Sequence, residues 1–177
     1  MEKALELEPH APDGIVLELG TGSGAIAIAF GNECPHRHVL AVEKEDAALT
    51  IAHANIKAQA QANVTLIQAD WLSSIAGNTI AMLLSNPPYL ASSDPHLATL
   101  HHEPRNALVS GKTGLEALEH IIEHSAQAML PGASLILEHG CEQGATVRQR
   151  MFDCHYQSIA TCHDLAGLER VSIGFHR

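Results

Sequence analysis

Five short aliphatic runs limit how this chain can fold: 15-IVLEL-19, 38-HVLAVE-43, 63-NVTLIQ-68, 80-IAMLLS-85 and 133-ASLILE-138. Between them lie stretches that read as helices, 24-GAIAIAFGN-32, 46-DAALTIAHANIKAQA-60, 114-GLEALEHIIEHSAQAML-130 and, after the last run, 142-EQGATVRQRMF-152. Near-continuous apolar strands must be covered on both faces, and strands separated by helices pair in parallel. The tail breaks this rhythm. Segments 156-YQSIAT-161 and 169-ERVSIGF-175 are joined by a short polar stretch, which predicts an antiparallel hairpin at one edge. The expected fold is therefore α/β, a doubly wound, mostly parallel sheet with an antiparallel C-terminal hairpin. The 177 residues fit one domain, 1–177, and 3-KALELEP-9 reads as the end of a helix before the first strand.

Composition removes several function classes. Hydrophobic residues make up 46% of the chain and aromatics 3%, which predicts a globular protein with an aliphatic core. A formal net charge of −10, with ten scattered Lys and Arg, argues against a surface built for phosphate backbones, so no direct nucleic-acid binding is expected. No apolar run is long enough to cross a membrane, and no signal peptide is visible. Cys34, Cys141, Cys154 and Cys162 show no C-x-x-C spacing and read as reduced thiols of a cytoplasmic protein.

In open α/β sheets, ligands sit beyond the carboxyl ends of the strands, so the residues after each strand carry the chemistry. After the first strand comes 18-ELGTGSGA-25, with Gly20, Gly22 and Gly24 alternating around Thr21 and Ser23. Missing Cβ atoms allow a tight turn and let a ligand lie against bare backbone. The second strand ends at Glu43, nineteen residues past Gly24, where a carboxylate can accept from both hydroxyls of a ribose. These features point to an adenosine-containing cofactor. Residues 22-GSGAIA-27 also satisfy the G-x-G-x-x-A dinucleotide fingerprint, so NAD stays open. The third strand runs out at 70-DW-71. Asp70 can accept from an adenine amine with Trp71 beside the base, or Asp70 can cap a short helix over 70–76. The fourth strand stops on 86-NPPY-89. The prolines remove two donors and hold Asn86 and Pro87 extended, leaving a bend rich in acceptors and followed by a flat ring.

Taken in order, E-x-G-x-G-x-G, an acid, Asp-Trp and N-P-P-Y after successive strands resemble the class I S-adenosylmethionine-dependent methyltransferases, a Rossmann-like fold. Asn-Pro-Pro-Tyr narrows the resemblance to enzymes that methylate a planar nitrogen: adenine N6, guanine N2 or a glutamine amide. Such a nitrogen is a poor nucleophile with two N–H donors. The Asn86 side-chain oxygen and the Pro87 carbonyl can accept both, while Tyr89 lies against the flat group. Catalysis is then mainly positioning plus a matched dipole field.

Further on, 103-EPRNAL-108, 138-EHGCEQGATVRQ-149 and 161-TCHDLAGLERVSIG-174 are similar to the protein-glutamine methyltransferases. Within these they resemble the catalytic domain of those acting on the Gly-Gly-Gln tip of peptide chain release factors. The resemblance runs from about Ile15 to Phe175 and implies N5-methylation of a glutamine. It implies that Gly20, Thr21, Gly22, Ser23, Gly24, Glu43, Asp70, Trp71 and Asn86 hold S-adenosylmethionine, with S-adenosylhomocysteine as product. It implies that Asn86, Pro87, Pro88 and Tyr89 hold the glutamine, with Asn86, Pro87 and Tyr89 at the reacting group and Arg105 in a flanking loop. The implied partner is a release factor. The family's N-terminal helical docking domain and its R-P-x-T-E-like linker have no counterpart in these residues.

Other readings compete. A ribosomal-protein glutamine methyltransferase shares the same signatures. A nucleic-acid adenine methyltransferase would need a basic channel, and a nicotinamide oxidoreductase or a non-catalytic binding subunit would share the glycine turn. The segment 120-HIIEH-124 matches H-x-x-E-H, a zinc-peptidase signature, but without a third ligand it reads as helix surface, and no metal is expected.

Overall fold

A computed structural model describes residues 1–177. The elements are α1 (Glu2–Leu7), β1 (Ile15–Leu19), α2 (Ala25–Glu33), β2 (Val39–Glu43), α3 (Asp46–Ala58), β3 (Val64–Gln68), β4 (Ile80–Ser85), α4 (Arg105–Leu108), α5 (Glu116–Ser125), β5 (Met129–Glu138), α6 (Gly144–Asp153), β6 (Gln157–His163) and β7 (Glu169–Phe175). The seven strands form one sheet in the order β3-β2-β1-β4-β5-β7-β6. All neighbours through β5 are parallel, and β7 runs antiparallel to both β5 and β6. The expected hairpin is present, but its second strand lies inside the sheet and its first forms the edge.

Strand alternation sorts the core into two layers. Leu17 and Leu19 join Leu83, Leu135, Leu137 and the α5 residues Leu118, Ile121 and Ile122 on one face. Val16, Ala41, Met82 and Leu84 meet Ala27 and Phe30 of α2 on the other. Both faces of β4 are buried along its whole length, as an aliphatic run with no polar alternation requires.

Two helical expectations differ from the structure. The run 114–130 is helical only to Ser125, because Gln127 and Ala128 turn to pair with the start of β4. The Ala128 carbonyl accepts from Thr79 and Ile80, and the Gln127 carbonyl accepts from Asn78. Ala, Gln and Met favour helix, but sheet pairing overrides a propensity of tenths of a kcal/mol per residue. Residues 71–74 form turns rather than a helix, so Asp70 caps nothing there.

Candidate active site

The topology puts a crevice between β1 and β4. From β1 the chain builds outward through β2 to β3, then crosses back to β4 and continues towards β5. Such a switch point opens at the carboxyl ends of the strands. Register fixes what meets there. Leu19 lies opposite Ser85 and Val42, and the Ser85 hydroxyl donates to the Leu19 carbonyl at 2.8 Å. Gly20, Glu43 and Asn86 therefore leave three adjacent strands at the same level, with neighbouring strands roughly 5 Å apart. The glycine turn and the Asn-Pro-Pro-Tyr bend are brought together.

The glycine turn is held from below by Glu18. Its Oε2 accepts from the Thr21 hydroxyl and, at 2.9 Å, from the Ala27 backbone N–H in the first turn of α2. The carboxyl is buried, and burial pushes it up to about 7. Gly20, Gly22 and Gly24 have φ of +67°, +57° and +81°, a region open to glycine at little cost. A Cβ at Gly22 would meet nothing within 4 Å, so this backbone faces open space. The Ser23 carbonyl is tied to α3 by the Asn55 side-chain amide at 2.8 Å.

Glu43 is buried and anchored. Its Oε1 accepts from Lys44 N at 2.8 Å and Glu45 N at 3.0 Å, and its Oε2 accepts from Gly22 N at 2.9 Å. A carboxylate has about four lone-pair sites, so room remains on Oε2 for one further donor. A second ribose hydroxyl would have to displace a backbone N–H. Asp70 is exposed and pairs with Lys44 at 2.9 Å. Trp71 lies where a pocket wall is wanted: a Cβ at Gly20 would sit 3.6 Å from its ring. Trp71 itself has φ +49°, an uncommon conformation for a bulky residue, and strain of this kind gathers at functional sites. Its ring also borders a second cleft with His120, whose ring centroid is 6.4 Å away.

Across the crevice, Asn86 is exposed, Pro87 buried, and Pro88 and Tyr89 partly buried. Neither the Asn86 side chain nor the Pro87 carbonyl takes a hydrogen bond from the rest of the chain. Burial, then the field of Glu138, raises the Tyr89 hydroxyl above its ordinary range. Arg105 opens α4 and donates to the Ser92 carbonyl at 3.2 Å, so it braces the loop that follows the bend.

Three residues outside the sequence-derived set hold the bend. Gln143, before α6, donates to the Tyr89 carbonyl at 3.0 Å and the Gly114 carbonyl at 3.2 Å, and accepts from Gly140 N at 2.8 Å. Leu90 pairs with the segment after α4, exchanging bonds with Leu108 and Ser110. Gly114, at φ +83°, lies so close that a Cβ would stand 2.5 Å from the Tyr89 carbonyl oxygen. Glu18 heads the E-x-G-x-G-x-G pattern, which gives it no role, and nothing in the sequence marks Gln143.

The other sequence candidates stay apart from the crevice chemistry. His120 and His124 stack at 4.3 Å, with the His124 Nδ1 bonded to the His120 carbonyl, and no three His, Cys, Asp or Glu side chains group as metal ligands would. All four cysteines are free. No helix is long and apolar enough to cross a membrane.

Residues 4–111 match the family described as Methyltransferase small domain. The chain is 42% identical over 176 residues to a release factor glutamine methyltransferase of Escherichia coli, covering 98% of this chain and 63% of that protein. It is 40% identical to a protein of the same description from Xylella fastidiosa, covering 98% and 64%. The chain thus spans a little under two thirds of the length of these curated relatives. Among solved structures, a methyltransferase from Pyrococcus furiosus superposes with a TM-score of 0.70 at 20% identity, over 98% of this chain and 81% of that one, a likeness of fold.

Proposed function

Since this chain belongs to the methyltransferase small-domain family, we propose that it transfers a methyl group from S-adenosylmethionine to the side-chain amide nitrogen of a glutamine in a peptide chain release factor. The observation that carries this reading is the pair of uncommitted acceptors, Asn86 Oδ1 and the Pro87 carbonyl, beside an open glycine backbone at the β1–β4 crevice. The descriptions of the curated relatives support the choice of glutamine and of release factors.

The residues present suit the cofactor. Bare backbone at Gly22, the spare capacity of Glu43 Oε2, the Trp71 ring beside Gly20 and the unbonded Asn86 side chain support this fit. S-Adenosylmethionine, when bound, supplies an electrophilic methyl on a sulfonium. Asn86 and Pro87 accept the two amide N–H groups, which holds the nitrogen in one orientation and favours the pyramidal form that attack requires. Pro88 keeps Pro87 extended, and Tyr89 flanks the amide plane. Methyl transfer to the nitrogen so held would form the N–C bond at the expense of the sulfonium's S–C bond. The nitrogen then carries an acidic proton that leaves to water, so no side-chain base is needed.

Purified release factor, a ribosomal protein bearing an acceptor glutamine, and duplex DNA, each incubated with labelled S-adenosylmethionine, separate the alternatives. The expected result is label on the release factor, with a mass gain of one methyl on a glutamine-containing peptide. Label on the ribosomal protein or on DNA alone overturns the assignment.

A further inference from the structure

The loop joining β6 to β7, 163-HDLAGLE-169, exposes two leucines on a turn that is tightly built. Leu165 is fully exposed and Leu168 is 45% exposed. The Asp164 carboxylate accepts from Ala166 N and Leu168 N, both at 2.9 Å, and from Arg170 Nε at 3.2 Å. Asp164 N donates to the Leu168 carbonyl at 2.8 Å, and Gly167 N to the Asp164 carbonyl at 3.0 Å. Single exposed apolar residues need no explanation. A preorganised turn that fixes two leucines in water is different, because a polar turn would close the same hairpin.

Its position gives the second argument. Glu138 pairs with Val171, and His139 N donates to the Arg170 carbonyl at 2.9 Å. Ser85 pairs with Leu137 in the same row. The hairpin tip therefore stands at the edge of the sheet that carries Asn86, two strand spacings or roughly 10 Å along it. Arg170 and Glu138 both act electrostatically on Tyr89, in keeping with this placement of the tip along the sheet edge. A folded protein that delivers a glutamine to Asn86 must lay its surrounding surface across this edge. A short peptide need not.

We infer that the β6–β7 tip is a docking knob for the methyl-accepting protein, with Leu165 and Leu168 seating in an apolar depression on that partner. This rests on the acceptor being a protein, as proposed above. Glu138 at the base of the tip makes no ion pair, Arg170 there is bonded to Asp164, and the net charge of the chain is −10, so the depression should be rimmed by basic groups.

The test replaces both leucines, Leu165→Ser with Leu168→Ser, and uses two probes: an intact recombinant release factor and a short peptide containing Gly-Gly-Gln. Phe152→Ser, which alters an exposed apolar residue on α6, is the control. The double variant should raise KM for the intact protein by about tenfold or more, as expected when contact anchors are removed. Its kcat, cofactor affinity and peptide kinetics should match the parent, as should those of the control. Unchanged kinetics on the intact protein overturn the docking role. So does loss of a dimer in sedimentation, which would assign the leucines to a second copy of the chain. If the parent methylates neither probe while still binding S-adenosylmethionine, the functional reading falls and the docking role falls with it, an outcome distinct from failure of the tip alone.

Discussion

At the residue scale, the site depends on which polar groups are already spent. Glu43 is committed to three backbone donors, whereas Asn86 is committed to none. Asn86→Ala should lower methyl transfer at least about a hundredfold, the scale seen when an oriented polar contact to a reacting group is removed. Cofactor affinity should stay within about tenfold, and titration calorimetry beside initial rates checks both. Glu18 carries a pH signature. Its folded value of about 7 lies above the ordinary 4.5, so the folded state retains a proton that the unfolded chain releases. The associated stability is complete below about pH 4.5 and is lost as pH rises through about 7. A shift of this size corresponds to something on the order of 3 kcal/mol. Glu18→Gln keeps an acceptor for Thr21 and Ala27 but cannot ionise. Urea unfolding at pH 5 and pH 8 should show the parent losing more stability than the variant over that interval; parallel losses would remove Glu18 from the account.

At the element scale, the proline bend is only as rigid as what braces it. The turn before α5 is itself tightly held. Glu116 Oε1 accepts from Lys112 N at 2.7 Å and Thr113 N at 3.0 Å, chiefly the Thr113 bond holds its carboxyl down to about 2, and the Ser110 hydroxyl accepts from Ala117 N at 2.7 Å. That turn carries Gly114 against the Tyr89 carbonyl, and Gln143 bridges the two. Gly114→Ala introduces both a forbidden approach and a strained φ. It should cut kcat by about tenfold or more and speed amide exchange over residues 86–92, with little change in cofactor affinity. Gln143→Ala should do the same more mildly. Unchanged exchange in both variants would show that the bend stands unaided. The bend was legible because two prolines constrain the chain locally. Its braces were not, because Gln143 and Gly114 are 54 and 25 residues from Tyr89 and meet it only through folding.

At the scale of the whole molecule, two packed layers hold the strand ends in one row, and the cofactor should tighten that row. A ligand at a hundred times its Kd stabilises the folded state by about 2.7 kcal/mol. For a chain of this size that is a rise in Tm of roughly 5–10 °C. S-Adenosylmethionine should produce it in a thermal scan and NAD should not, since the glycine turn alone fits either. A shift with NAD only would restore the oxidoreductase reading. The net charge of −10 predicts that methyl transfer to a protein with a basic surface weakens as salt rises, through KM rather than kcat.

The sequence alone settled what is local: the aliphatic strands, the glycine turn, the proline bend, and their places at strand ends. These follow from side-chain periodicity and from backbone limits that act over a few residues. The tertiary structure decided what depends on partners distant in the chain. It ended the helix at Ser125, because residues 127–128 gain sheet bonds. It set β7 between β5 and β6, turned Trp71 against Gly20, buried Glu18 as the anchor of the glycine turn, and brought Gln143 under Tyr89. Each is a long-range pairing, and no residue by itself announces the neighbour it will meet.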